Sequence, residues 1–393
     1  MKHDVVTQIA LSIAFPAVLF LACSVPASVA SGGTASPPGQ PTSGPGGSQY
    51  PCGGKKVQSY GEGDLQYWLY EPVNPSPKSA PVIVFNHGWA AMEPRSYEVW
   101  IDHLVRRGNI VIYPRYQGSL LTDGELFLDN AAAAVKEAFA KLVSEPGHVR
   151  PQLDRVAAVG HSAGGLVAAG LAAVAQQKGL PPVKAVMCVE PGKTWGPNHM
   201  VLPLTDMKKI PARTLLLSVF GDQDTMTGDI DARRIYNESK NVPKANKNLV
   251  ELVSDDHGSP PLSATHFCPT CPLVRRSGGG VSRMKRLQTA ADGVSQINPQ
   301  GRIGTIRQEY FQRQMQRIRR TQPGAFAEER EAPVPAAPTV NTLDYGLWRL
   351  FDALTDAAFF GKNRQHALGN TREMRFMGKW SDGVPVKEMK VVQ

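Results

Sequence analysis

Gly160-His161-Ser162-Ala163-Gly164 constrains this chain more than any other stretch, because it places one serine where a nucleophile has to stand. It closes the segment Leu153 to Val159, whose second half is an apolar run of the buried-strand type. It opens the small, apolar run from Gly165 to Ala175, which reads as a helix lying close on a sheet. Strand, sharp turn and helix together form the setting that exposes a serine hydroxyl at the apex of a strained turn. The neighbours two positions away must lack bulk, and Gly160 and Gly164 meet that need.

The flanking pattern extends this reading. Ala80 to Asn86 predicts a buried strand that runs into His87-Gly88-Trp89, and Asn109 to Tyr113 predicts another, stopped by Pro114. Downstream, Val183 to Val189, Thr214 to Phe220 and Asn248 to Val253 predict three more. Helix-like segments lie between them, notably Ser96 to Arg107 and Leu128 to Glu145. Short apolar strands alternating with such helices predict an α/β architecture, a mostly parallel sheet covered on both faces. With these motifs in this order, residues 55 to 270 resemble the α/β-hydrolase superfamily, in particular its dienelactone-hydrolase-like and secreted-esterase members.

The resemblance implies a serine, acid, histidine order along the chain. Ser162 is a poor nucleophile until a base takes its proton, and that base needs an orienting carboxylate. Asp224 matches the acid position in Gly221-Asp222-Gln223-Asp224, directly after a strand, with Asp222 as a turn residue. The competing reading has both aspartates capping a helix start near Thr225. His257, in Ser254-Asp255-Asp256-His257-Gly258 after the last strand, is the expected base, and His266, nine residues on, is its rival. By the same resemblance the amides of Trp89 and Ala163 would form an oxyanion hole. His87 is read as ordering its loop, and Tyr116 as a residue near the cleft.

Other chemistries find little support. Relatives with an aspartate nucleophile at the turn are excluded by Ser162. No His-Glu-x-x-His pattern points to a metal, and the glycine run Gly278 to Gly280 lacks the Lys-Ser/Thr ending of a phosphate loop. No cofactor is implied.

Residues 1–30 read as a secretory signal peptide: Lys2 and His3 precede an apolar run from Ile9 to Ala22, too short for the roughly 20 residues of a membrane span, and Ser28-Val29-Ala30 resembles a cleavage site. Lipid anchoring through Cys23 is the alternative, although Phe20 fits that cleavage box poorly. Residues 31–50, rich in Gly, Pro and Ser, read as a linker without a fold. The hydrolase core is expected over 51–274. Of the cysteines, Cys188 falls in a strand and reads as a packed thiol, while Cys52, Cys268 and Cys271 are disulfide candidates outside the cytosol.

The net charge of +9 sits in one segment: Arg275 to Arg320 holds eleven Lys or Arg against two acids. Residues 275–340 are therefore read as a basic, partly disordered insertion with an amphipathic helix over Ile303 to Ile318. It could also act as a lid, or contact an anionic membrane or envelope polymer. An exported chain argues against nucleic acid as partner. Residues 341–393 are expected to return to the core through a helix striped by Leu343, Leu347, Leu350, Phe351 and Leu354. The resemblance implies a secreted or periplasmic serine hydrolase that cleaves a carboxylic ester through an acyl-enzyme. A peptidase or acyltransferase on the same residues, or a non-catalytic envelope-binding protein, are the alternatives.

Overall fold

Apolar runs bounded by turns build a single nine-stranded sheet in the computed structural model, which describes residues 34–119, 122–194, 201–270 and 342–392. The chain divides into units Met1–Thr34 and Ala35–Gln393, and of the first only Thr34 is described. The strands are β1 (Gly54–Tyr60), β2 (Tyr67–Val73), β3 (Ser79–Asn86), β4 (Ile110–Pro114), β5 (Arg150–His161), β6 (Val183–Val189), β7 (Leu215–Gly221), β8 (Lys247–Leu252) and β9 (Lys390–Val392). They lie in the order β1-β2-β4-β3-β5-β6-β7-β8-β9. The six from β4 to β8 are parallel, whereas β1 and β2 at one edge and β9 at the other run antiparallel to their neighbours. The insertion of β3 between β4 and β5 is the strand-order switch of an α/β-hydrolase sheet, and the mostly parallel architecture is the one the sequence predicts.

Two layers of helices cover the sheet. The helices are α1 (Glu98–Arg106), α2 (Phe127–Ser144), α3 (Ala163–Lys178), α4 (Ile230–Glu238), α5 (Thr342–Phe360) and the short α6 (Arg372–Arg375). Successive strand residues point to opposite faces, so Ile83, Phe85, Val159, Met187 and Leu217 pack with α1 and α5. Val82, Val84, Ala158, Val186 and Leu216 pack with α2 and α3. Both faces being covered explains why the strands read as continuous apolar runs rather than alternating ones. Helix α3 is apolar all round because sheet, α2 and loop surround it; its buried Gly164, Gly165, Gly170 and alanines let it approach the strands closely. Gly179, at φ 68°, ends it in a left-handed cap.

Residues 35–50 correct the linker expectation. They form no regular element, yet they are held to the core by individual hydrogen bonds: Ser259 N to Ala35 O (2.8 Å), Ser381 N to Ser36 O (3.0 Å) and Gly46 N to Asp352 Oδ2 (2.7 Å). Low hydrophobicity removes the usual reason to order such a segment, and here backbone polar groups supply it instead. The basic segment 275–340 lies outside the described residues. After it, α5 packs against the sheet, and Arg349 on α5 donates to the carbonyls of Glu373, Met374 and Phe376, fixing α6 and the turn after it. The chain then closes the sheet edge with β9, a strand that carries no clear signal in the sequence.

Asp352 is the electrostatic pin of this face. It is 1% exposed and accepts from His103 Nε2 (2.9 Å), Arg107 Nε (3.1 Å) and Gly46 N–H, so α1, α5 and the 35–50 segment share one carboxylate. Burial opposes its ionisation, but His103 and Arg107 outweigh burial and hold its pKa below the usual carboxylate value. A carboxyl with a depressed native pKa contributes stability above its unfolded value that is lost as pH falls. Asp352→Asn should therefore cost roughly 3 kcal/mol or more of unfolding free energy at neutral pH. In urea titrations the gap between variant and wild type should narrow as pH drops below about 4.

Candidate active site

Three strand ends meet at Ser162. The residue sits at φ 55°, ψ −123°, a conformation seldom adopted by a side-chain-bearing residue, between the end of β5 and the first turn of α3. A Cβ at Gly160 would overlap the Gly164 carbonyl, and one at Gly164 would overlap the carbonyls of Asn86 and His87 at the end of β3. Ser162 N–H donates to Val189 O of β6 (2.9 Å), and Gly192 N–H donates to Ser162 O (3.2 Å). The serine hydroxyl is thus aimed by backbone packing, before any side chain is considered.

His266 Nε2 lies 3.0 Å from Ser162 Oγ, and His266 Nδ1 lies 2.8 Å from Asp224 Oδ2. With Nδ1–H donating to the carboxylate, Nε2 is left to accept the serine proton. Asp224 follows β7 and is held in turn by Met226 N–H (2.8 Å), Thr227 N–H (3.0 Å) and the Thr227 hydroxyl (2.7 Å). Burial opposes its ionisation, but His266 and the Thr227 donors outweigh burial and bring its pKa to about 2. It is therefore a carboxylate throughout the neutral range.

The expected base, His257, is not part of this arrangement, and its rival His266 is. Asp255 and Leu262 exchange backbone hydrogen bonds (2.8 Å each way), so residues 255–262 form an excursion that leaves the sheet and comes back. That excursion is anchored on the C-terminal segment: Asp255 accepts from Trp380 Nε1 (3.1 Å) and Lys387 N–H (2.9 Å), and His257 Nε2 faces Asp382 at 2.7 Å on the surface. On the return, Gln223 N–H donates to Ala264 O (3.1 Å), which docks the loop beside the acid turn and delivers His266. One sequence signal pointed there. Leu262, Ala264 and His266 share the buried side of an extended run, whereas His257 follows two aspartates.

The loop after β3 carries Trp89, and Ala163 opens α3. The amides on either side of Trp89 N–H are already used, Gly88 N–H by Tyr97 Oη (2.9 Å) and Ala90 N–H by Gln117 Oε1 (2.9 Å). Ala163 N–H belongs to a first helical turn, whose amides have no intrahelical acceptor, and that turn carries no acidic residue. The Trp89 ring packs on Phe127 at 5.2 Å between centroids. His87 stacks on Tyr116 at 4.1 Å and bridges towards the carbonyls of Gly88 and Arg115. Burial lowers its pKa to about 4, so it is neutral and orders the loop from one protonated nitrogen. Tyr116 is fully buried and donates to His87 O, which makes it a support under the loop and not a wall of the cleft. In the loop after β6, Leu202 is buried and Leu204 is partly buried and packed against the core.

Sequence reasoning passed over His161. A carbonyl can only accept, so Nε2 carries the proton that is donated to His266 O (2.7 Å). The bare Nδ1 then accepts from the Tyr97 hydroxyl (2.8 Å), whose oxygen accepts from Gly88 N–H. This line ties the backbone of the base to the loop that holds Trp89. Burial lowers the His161 pKa to about 3, keeping the ring neutral. His161, Glu190 and His266 also offer ligand-type atoms within 4.8 Å of one another. Both His161 nitrogens are engaged, however, so a cation there would have to displace one of these contacts. Cys52 and Cys188 are free thiols, so Cys52, one of the three disulfide candidates, pairs with no described cysteine; Cys271 lies outside the described residues.

Residues 73–205 match the chlorophyllase family model, a family within the α/β-hydrolase superfamily. The match takes in the Ser162 turn and ends before Asp224 and His266 are reached. The sheet and its helices have the α/β-hydrolase fold, the matched third of the chain is similar to that family, and ester hydrolysis is the chemistry to which the match points. No curated protein matches the chain significantly.

The geometry separates the two histidines. His266→Ala should lower turnover of a p-nitrophenyl ester by about 10⁴-fold or more, the loss common to this kind of residue. His257→Ala should leave turnover within a few-fold of wild type, because its ring meets Asp382 and Trp380 and takes no part in the Ser162–His266–Asp224 line. Equal losses in the two variants would sink the assignment.

Proposed function

We propose that the protein is an exported serine esterase that works through an acyl-enzyme on Ser162. The observation that carries this reading is the unbroken hydrogen-bond line from Ser162 Oγ through His266 to Asp224. Ser162 Oγ attacks the ester carbonyl while His266 Nε2 takes its proton, and Asp224 holds the imidazole and stabilises its positive charge. The oxyanion is met by the amides of Ala163 and Trp89, with the positive end of α3 behind the first of them. His266 returns the proton to the leaving alcohol, then activates a water that releases the acid.

The mouth of the site favours an apolar ester. The Phe267 ring (57% exposed) lies edge-on to the His266 ring at 5.4 Å, and Met226 (42%) binds Asp224 through its N–H, so large exposed apolar residues stand beside the base and the acid. Export rests on the leader-like composition of residues 1–30, and contact with an anionic surface on the basic run 275–320.

A fluorophosphonate should label the wild-type protein at a single serine, and Ser162→Ala should abolish both the label and the hydrolysis of p-nitrophenyl esters. A labelled protein that cleaves peptides and no ester would replace the esterase reading with a peptidase. For the basic run, binding to vesicles containing anionic phosphatidylglycerol should fall with added salt and on deletion of residues 275–339, while turnover of a soluble ester persists. Loss of that turnover in a folded deletion variant would show that the segment completes the site.

A further inference from the structure

We infer that Glu190 is a second carboxylate serving His266, a positioning residue that shares with Asp224 the charge formed on the imidazole. This rests on the esterase reading above and adds to it a residue that no sequence motif marks. Glu190 directly follows β6 and is fully buried. Its Oε2 stands 3.7 Å from His266 Nδ1, the same nitrogen that Asp224 Oδ2 meets at 2.8 Å. Cys268 Sγ, two residues beyond the base, donates to Glu190 Oε1 at 3.2 Å, so the carboxyl is held from the loop it faces.

The backbone holds it as firmly. Glu190 adopts φ 47°, a left-handed conformation that a side-chain-bearing residue keeps only where its surroundings impose it. Its N–H donates to Val219 O of β7 (2.7 Å), and its carbonyl lies 3.2 Å from the Thr227 hydroxyl, whose single proton goes to Asp224. A burial site for a carboxyl group is expensive unless something facing it favours the charge. His266, which becomes cationic in each catalytic half-reaction, faces this carboxyl. An opposite charge within about 4–6 Å favours the charged form of a titrating group by one unit or more.

The groups that face His266 fix the sign of the effect. Asp224 and Glu190 are carboxyls, Ser162, Thr227 and Cys268 are uncharged donors, and His161, whose ring centroid lies 4.8 Å away, is held neutral by burial. His266 must be neutral to act as base, so the acid limb of kcat/KM follows its protonation. Removing a neighbouring negative charge makes that protonation harder. The limb then moves towards lower pH, and activity at neutral pH falls because the imidazolium of the transition state is less stabilised.

The test is a pH profile of p-nitrophenyl acetate hydrolysis, with fluorophosphonate labelling of Ser162 as a parallel readout. Glu190→Gln should shift the acid limb about one pH unit towards acid and lower kcat roughly tenfold with little change in KM. Glu190→Asp, which keeps the charge, should restore the limb most of the way. A second arm does not depend on the Gln variant folding. In Asp224→Ala, Glu190 remains to orient His266, so the loss should be near 10²-fold rather than the roughly 10⁴-fold usual for removal of the acid. An unshifted limb in Glu190→Gln overturns the inference, as does a full 10⁴-fold loss in Asp224→Ala. In either case an active, labelled wild type leaves the esterase reading standing; a wild type with neither activity nor label removes both.

Discussion

The close passage of backbone at the Ser162 turn is the constraint on which the remaining structure depends. Ser162 holds a left-handed conformation only because the ends of β3, β5 and β6 clamp it. The room for that clamp exists only because Gly160 and Gly164 have no side chains. A strained residue of this kind costs on the order of 1–3 kcal/mol and persists where its surroundings leave no alternative. The parallel pairing of β5 with both β3 and β6 supplies those surroundings. The same geometry starts α3 at Ala163 and brings the β3 loop alongside it, so nucleophile and amide donors are positioned by one packing arrangement.

Much of this was legible in the sequence for a physical reason. Strands covered on both faces need nearly unbroken apolar runs, and such runs are visible in β3, β4, β6, β7 and β8 without alignment. The elbow was legible because two glycines and a small-residue helix are demanded by sterics, independently of context. Asp224 was legible because the acid sits at a fixed step after its strand. Strands β1, β2 and β9 were not. Strands β1 and β9 lie at the sheet edges and expose part of their side chains, which dilutes their hydrophobic signal, whereas β2 is largely buried between β1 and β4 but has Glu71 and Pro72 in its run.

What the sequence showed only faintly depends on partners far along the chain. The alternation of Leu262, Ala264 and His266 is a weak local sign, and the choice between His257 and His266 is made by Trp380, Asp382 and Lys387, more than 110 residues away. These residues capture the 255–262 excursion and leave His266 to reach the serine. The ordering of residues 35–50 has the same origin. Nothing in a Gly/Pro/Ser-rich stretch announces that Asp352, Ser381 and Ser259 will take up its backbone groups. Local composition predicts low hydrophobic driving force, and in this it is right. It is silent on hydrogen-bond partners brought in by topology.

Burial sorts the titratable groups around the base by sign, and this is where fold and chemistry join. The desolvation that disfavours any charge acts most strongly on His161 and His87, which lack a carboxylate partner and are held neutral. Asp224 suffers the same penalty, yet its three donors and His266 reverse it. A protonated His161, with its ring 4.8 Å from that of His266, would repel the imidazolium on which the reaction depends. Neutral, it can instead spend its single proton on the His266 carbonyl and its lone pair on Tyr97, fixing the base and the β3 loop together. The buried ring is thus useful through the charge it does not carry. That follows from the same close packing that strains Ser162, since both require the ends of β3, β5 and β6 to exclude water from one small volume.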